Sequence, residues 1–284
     1  MALNSFFERL LAGRWIAGPS IQDAVDRTEK FNRKGIGTIL NYLGEDFRDK
    51  GSVEQAVEKY LKLIKSVHDS RIKADISVKP TQIGLSISYR YASANYARIL
   101  DAARHRHLFV WLDMEDHRHV DRTIRLYLEH LKARRKKDTG ICIQAYLRRS
   151  GIDMARIVGK GGVIRLVKGA YRESARIAYG SKKGTDENYS KLMKYLFDKS
   201  DQFTIATHDA AMIEQARHLQ SIRHRNVTFA MLNGIRDKYA ENLARKHMKV
   251  YIYVPFGERW VDYSLRRLHE LSNALLVIRS LFSR

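Results

Sequence analysis

The chain has 284 residues, 44% of them hydrophobic and 29% charged, enough to bury one large core or two small ones. Its single cysteine, Cys142, excludes an intrachain disulfide, argues against a cysteine-based zinc site and fits a reducing, intracellular setting. The longest apolar runs, such as Leu108–Leu112 and Ala274–Ile278, are far shorter than the roughly 20 residues of a membrane-spanning helix, while 52 Lys+Arg against 31 Asp+Glu leave a charge of +21 that by itself points to nucleic acid or an acidic surface partner.

The opening residues, MALNSFFERLLAGRWIAGPS, carry Glu8 and Arg9 early and no long apolar stretch, which reads as an amphipathic helix and not a signal peptide. Residues 1–35 are expected to form an extension of two helices. Eight β-like runs follow: Gly37–Leu43, Ala74–Val78, Leu108–Asp113, Ile141–Leu147, Val163–Lys168, Phe203–Thr207, Val227–Leu232 and Val250–Val254. Several are almost wholly apolar or β-branched, as strands covered on both faces must be. Between them, segments such as Val53–Val67, Ala92–Ala103, Val120–Leu131, Glu187–Phe197 and Ala210–Leu219 have amphipathic helical periodicity. Eight strand–helix units in about 250 residues predict a (β/α)8 TIM-type barrel over residues 36–284. A doubly wound sheet is the competing fold, but it usually has fewer strands and often a Gly-rich first turn, and no GxGxxG occurs. With three prolines and no Pro/Ser-rich linker, a single barrel domain is expected.

In such a barrel the chemistry belongs at the C-terminal ends of the strands. The second run ends in Val78-Lys79-Pro80-Thr81-Gln82 and the third in Asp113-Met114-Glu115-Asp116. The fourth carries Gln144, Tyr146 and Arg148, and the fifth reads Arg165-Leu166-Val167-Lys168-Gly169-Ala170-Tyr171. The sixth ends in Thr207-His208-Asp209, and the eighth carries Tyr253 before stopping at Pro255 and Gly257. A cation inside a β-run is costly to bury without a partner, so Lys79, Arg165 and Lys168 stand out. A structural ion pair across the barrel accounts for any one of them, less readily for all three.

After the last strand, Tyr263, Arg266, Arg267 and Glu270 fall at i, i+3, i+4 and i+7 of a predicted helix, on one face. Two adjacent guanidiniums can grip one carboxylate from two directions, and a glutamate one turn on can hold them or take an ammonium. With the tyrosines, that set suits a small zwitterion with an apolar body, an amino acid. A surface helix with an i,i+4 Arg–Glu pair is the plain reading of the same spacing.

The basic runs lie elsewhere. Arg104–His107, Lys132–Lys137, Arg217–Arg225 and Arg245–Lys249 sit at helix C-termini, on the N-terminal face of the predicted barrel. There they complement helix dipoles, or form a cationic face for anionic lipid. Aromatics do not alternate with these runs, so nucleic acid is not expected as a partner. His105, His107, His117 and His119 match no metal pattern and read as solvated histidines, so no metal is expected. Val158-Gly159-Lys160-Gly161-Gly162 precedes its strand and reads as a turn, and Cys142 reads as a small buried hydrophobe.

Taken together and in order, SVKPTQ (77–82), WLDMED (111–116), IQAYLRR (143–149), RLVKGAYRE (165–173), ATHDA (206–210), FAMLNGIR (229–236) and YVPFGERWVDYSLRRLHE (253–270) resemble the proline dehydrogenase family. The resemblance implies a distorted (β/α)8 barrel that holds FAD non-covalently and oxidises L-proline to Δ1-pyrroline-5-carboxylate. Carried over residue by residue, Arg266, Arg267 and Lys79 would bind the proline carboxylate, with Asp113 and Glu270 holding these cations in position. Tyr253, Tyr263, Ala170 and Leu232 would wall the pyrrolidine ring. Arg165 would hydrogen-bond the flavin near N5 and Gln144 would meet the isoalloxazine edge. Lys168, Gly169, Thr207 and His208 would belong to the FAD site, with Ala170 and Glu270 also touching the cofactor. Lys182 and Thr185 would lie near the phosphates or adenosine. That last placement also suits the residues themselves, since Ser181–Thr185 precedes a helix expected to start near Asp186. The family often carries Gln where this chain has Ala230. The resemblance further implies membrane quinone as electron acceptor, a separate pyrroline-5-carboxylate dehydrogenase, and a cytoplasmic protein that can sit peripherally on the inner face of the membrane. Two other readings stand beside it: a methylenetetrahydrofolate-reductase-like FAD barrel, and a basic module that binds nucleic acid or membrane.

Overall fold

The β-like runs form parallel strands that close on themselves. In the computed structural model, which describes residues 15–134 and 137–258, the strands are β1 (Gly37–Tyr42), β2 (Ala74–Val78), β3 (Val110–Leu112), β4 (Thr139–Gln144), β5 (Val163–Val167), β6 (Gln202–Ala206), β7 (Asn226–Leu232) and β8 (Lys249–Phe256). Each pairs with the next, and β8 returns to β1, giving a closed barrel. The helices are α1 (Ile21–Asn32), α2 (Lys50–Asp69), α3 (Tyr89–Arg104), α4 (Val120–Arg134), α5 (Ser150–Val158), α6 (Lys182–Lys199), α7 (Ala210–Arg223) and α8 (Asp237–Arg245). This is the predicted (β/α)8 architecture.

Alternation along each strand separates two cores. Ile76, Leu112, Ile141, Ile164, Phe203 and Val250 pack outward under the helices. Ile39, Trp111, Val163, Ala230 and Tyr251 form a separate cluster inside the barrel. Small residues make room for the two large rings. A Cβ on Gly140 would lie 2.4 Å from the Trp111 ring, and one on Gly37 would lie 2.7 Å from the Tyr251 ring. Ala230 belongs to this cluster, so its short side chain faces the same crowded layer. Above this layer the interior turns polar.

Helix α1 starts at a capping box in which Ser20 and Asp23 satisfy each other's backbone N–H groups. It packs on both β1 and β8, covering the seam where the barrel closes. Thr28 Oγ1 lies 2.9 Å from Thr38 Oγ1 beneath it. Just before it, Ala17 N donates to Pro255 O and Gly257 N donates to Gly18 O, each at 2.9 Å. The other helix expected before residue 35 falls outside the described residues.

Of the boundaries that differ from expectation, three have a local cause. β8 does not stop at Pro255 but runs through it to Phe256, because its pairing with β1 continues there, with Leu43 N donating to Phe256 O at 2.9 Å. β4 begins at Thr139 and ends at Gln144, where Ser150 Oγ takes the Gln144 carbonyl at 2.5 Å. Helix α6 begins at Lys182, not near Asp186, because Ser181 accepts from Gly184 N at 3.1 Å and caps it there.

Candidate active site

The C-terminal half of the barrel interior holds a buried arginine surrounded on almost every side. Arg165, on β5, is 3% exposed. Its Nε donates to Cys142 Sγ at 2.9 Å, and its Nη2 donates to Ser77 Oγ at 3.1 Å and to Asp113 Oδ1. Asp113 Oδ1 also accepts from Ser77 Oγ at 2.8 Å and from Cys142 Sγ at 3.4 Å, and its Oδ2 accepts from Tyr253 OH at 2.9 Å. The guanidinium carbon lies 5.1 Å from the Trp111 ring centre and 5.2 Å from that of Tyr253. Burial works against the charge of Arg165, but Cys142 and Asp113 outweigh it and hold the group more firmly protonated than an ordinary arginine. Burial pushes the Cys142 thiol up to about 12, so at neutral pH it is an S–H that donates while its lone pairs accept. Below the arginine, Trp111 Nε1 donates to Asp75 Oδ2 at 2.9 Å, and burial pushes the Asp75 carboxyl up to about 6.

Lys79 ends β2 at 8% exposure, with Glu45 Oε2 3.5 Å from its Nζ. The same Glu45 oxygen accepts from Tyr171 OH at 3.2 Å. The turn after Lys79, Pro80–Ile83, is pinned by buried Glu115, which accepts from Thr81 N at 2.9 Å and from Thr81 Oγ1 at 2.7 Å. Burial raises the Glu115 carboxyl to about 6, with Thr81 pulling the other way. Gln144 Nε2 donates to the Glu115 carbonyl at 2.9 Å, so the β4 end is tied to the same loop.

A second cluster lies where β5 and β6 end. Lys168 Nζ donates to Asp186 and, at 2.9 Å, to Asp209 Oδ2. Lys182, in the first turn of α6, shares Asp186. Asp209 also caps α7, accepting from Ala211 N at 3.0 Å. Burial opposes its charge, but Lys168 holds its carboxyl below the usual range. Thr207 Oγ1 accepts from Asp209 N at 3.1 Å, and His208 Nε2 accepts from Leu232 N at 3.2 Å, joining the β6 and β7 ends. Gly169 has φ +115°, and a Cβ there would sit 2.1 Å from the Tyr146 ring, so the backbone takes this path only as glycine. Ala170 follows it, exposed.

The geometry brings Asp113, Arg165 and Tyr253 into one network, and Lys168, Lys182, Thr207 and His208 toward one rim. Thr185 stays in the first turn of α6, its Oγ1 on Ser181 O at 3.2 Å. Among the contacts described above, those of Asp113 go to Arg165, and Glu45 lies beside Lys79. The reason is register, since Asp113 and Arg165 both point inward at one level of the interior. Tyr263, Arg266, Arg267 and Glu270 fall outside the described residues. Cys142 is buried as expected but is a hydrogen-bonding member of the site and not only a hydrophobe. His117 is paired, its Nδ1 2.6 Å from Glu173 Oε2, and His119 Nδ1 lies 3.1 Å from Asp116 Oδ1. Sequence reasoning missed Glu45, Ser77, Trp111 and Glu115 as parts of the site. A carboxylate two residues beyond a strand-end aspartate was the one available signal, for Glu115.

The site has the means to hold a polar cofactor. Arg165 Nη1 is buried with no hydrogen-bond partner among the described residues. Lys168 and Lys182 stand at the rim as donors paired with Asp186 and Asp209, and Gly169 lets backbone approach closely.

The sequence pattern of the family described as "Proline dehydrogenase" matches residues 24–275. Proline dehydrogenase 1 of Bacillus subtilis strain 168 is 33% identical over 285 residues, 99% of this chain and 94% of that protein. The proline dehydrogenase of Deinococcus radiodurans is 32% identical, over 95% of this chain and 90% of that one. Among solved structures, proline utilization A from Bdellovibrio bacteriovorus, inactivated by N-propargylglycine, superposes with a TM-score of 0.87 at 22% identity. That match covers 96% of this chain and only 34% of the other, and at such identity it speaks for the barrel alone. The family match and the full-length relatives lead to one conclusion: this chain belongs to the proline dehydrogenase family.

Proposed function

We propose that the chain oxidises L-proline to Δ1-pyrroline-5-carboxylate at the C-terminal mouth of its barrel, using FAD held without a covalent link. The observation that carries this reading is Arg165, whose charge is locked in place from one side while Nη1 is left to serve a ligand. When bound, a flavin would supply the redox chemistry, that of a hydride acceptor for proline C5.

The residues supply position and electrostatics. Arg165 Nη1 and Gln144 would hold the isoalloxazine, Lys168, Gly169, Thr207 and His208 would hold the rest of the cofactor, and Lys182 and Thr185 would serve its phosphates. Lys79, with Arg266 and Arg267, clamps the substrate carboxylate, each charge-assisted bond contributing roughly 1.5–3 kcal/mol. Glu270 orients the arginines, as Glu45 does Lys79. Tyr253, its hydroxyl fixed by Asp113, walls the ring with Tyr263, Ala170 and Leu232. Fixed orientation accounts for much of the rate gain. Two cations near the amine disfavour its ammonium form, so the nitrogen is neutral when hydride leaves.

Electrons pass on to a membrane quinone, and the product goes to a separate dehydrogenase. Among the described residues no helix is long and apolar enough to cross a membrane. The basic N-terminal face of the barrel suits docking on anionic lipid. Residues 1–35 act as an extension to the barrel domain of residues 36–284.

The test is the 350–550 nm spectrum of purified protein, recorded anaerobically before and after L-proline. Bleaching of a flavin band by L-proline, and not by D-proline or glutamate, is expected. A flavin band that ignores proline overturns the substrate, and no flavin after reconstitution with FAD overturns the enzyme reading.

A further inference from the structure

Trp111 occupies the barrel interior directly beneath Arg165. Its indole N–H is tied to Asp75 at 2.9 Å, and its ring centre lies 5.1 Å from the guanidinium carbon. The other contacts of Arg165 leave little freedom. Nε is on Cys142, Nη2 is on Ser77 and Asp113, and the Tyr253 ring lies 5.2 Å away. The space for an indole is built in. Gly140 approaches so closely that any side chain would strike the ring, and Ala230 packs in the same cluster. A phenyl ring would have no N–H for Asp75 and would leave part of that space empty.

We propose that Trp111, anchored by Asp75, is a positioning residue whose indole face holds the Arg165 guanidinium so that Nη1 is presented to the cofactor. This rests on the flavin reading above. It gives a role to the Asp75–Trp111 bond, which otherwise places an aspartate in the interior for no purpose the substrate requires.

The experiment compares Trp111→Phe with the parent, in the native and the Arg165→Met backgrounds, as FAD-loaded protein. Sulfite adds reversibly to oxidised flavin at N5, and its dissociation constant reads the positive charge held there. Trp111→Phe is expected to weaken sulfite binding by about fivefold to tenfold. It should lower kcat, change KM for proline by less than about twofold, and add nothing further once Arg165 is methionine. An equal effect in both backgrounds, or a lower denaturation midpoint with unchanged sulfite affinity, makes Trp111 a space-filler and overturns the proposal. Gly140→Ala, which displaces the indole without altering any charge, is expected to act in the same direction and decides the matter if Trp111→Phe does not fold. A parent that takes up no flavin overturns the functional reading as well. A parent bleached by proline, with sulfite affinity unmoved in both variants, overturns the positioning role alone.

Discussion

Arg165 and Cys142 stand opposite one another on neighbouring strands, and the arginine Nε donates to the cysteine sulfur at 2.9 Å. The pair is asymmetric. The thiol stays protonated, passes its own hydrogen to Asp113, and so links the cation to its carboxylate through a neutral group.

Cys142→Ala removes that link and leaves a buried guanidinium N–H unpaired, at an expected cost of about 1–3 kcal/mol. Cys142→Ser keeps both a donor and an acceptor and should recover most of the loss. Urea denaturation of the three proteins measures this; an alanine variant as stable as the parent would show that the sulfur contributes nothing.

Asp113→Ala strands the charge of Arg165 inside the barrel, so a loss of about 3–5 kcal/mol is expected. The double variant with Arg165→Met should lose less than the sum of the two single changes, because it buries no unpaired charge. Additive losses would mean that the two residues are not energetically coupled.

Glu115 gives a pH signature. Its folded value near 6 exceeds the ordinary 4.5, so the folded state holds a proton that the unfolded chain has already released. Stability from this group is present below the unfolded value and lost as pH rises to about 6. Glu115→Gln cannot titrate. Between pH 4 and 7 its stability relative to the parent should improve by about 2 kcal/mol, whatever the constant offset. A pH-independent difference between the two unfolding curves would contradict the raised carboxyl.

Arg266→Met should raise KM for proline far more than it lowers FAD content, measured by steady-state kinetics beside the flavin-to-protein absorbance ratio. Loss of flavin from this variant would move Arg266 from the substrate to the cofactor.

Flavin reduction by proline, followed by stopped flow, should quicken as pH rises through neutrality, because the amine must be neutral before hydride departs. A flat profile from about pH 6 to 9 would count against Lys79 and Arg165 as the groups that favour the free amine.

The barrel was legible because both-face burial leaves its mark on every strand: Val163–Val167 and Asn226–Leu232 appear in sequence as short β-branched or apolar stretches, whatever they pair with. The chemistry of the strand ends was legible for the same reason, since Arg165 breaks the apolar pattern of its own strand. Partner choice was not. Ser77 and Arg165 touch across the barrel from distant parts of the chain, and no local spacing tells which carboxylate meets which cation. Cys142, flanked by two isoleucines, has the local pattern of a core residue. Glu45 sits in a loop with no motif, and the parallel pairing of β1 with β2 brings it to Lys79. The expectation that Arg266 and Arg267 form a clamp rests on helical spacing and family resemblance alone, and both lie outside the described residues.

The cover that α1 places over the β1–β8 seam has a consequence for the order in which the molecule can be made. The docking surface of α1 is split between the first strand and the last, and Ala17 is bonded to Pro255. During synthesis the apolar face carrying Ala24, Val25 and Phe31 emerges before the strands, yet half of its binding partner emerges only after seven of them. A segment made ahead of the barrel is thus locked only after the last strand, and its exposed face has to be shielded while the strands are made. This helix is therefore a natural place for a chaperone to hold the protein, and for amide exchange to remain fast until the barrel closes.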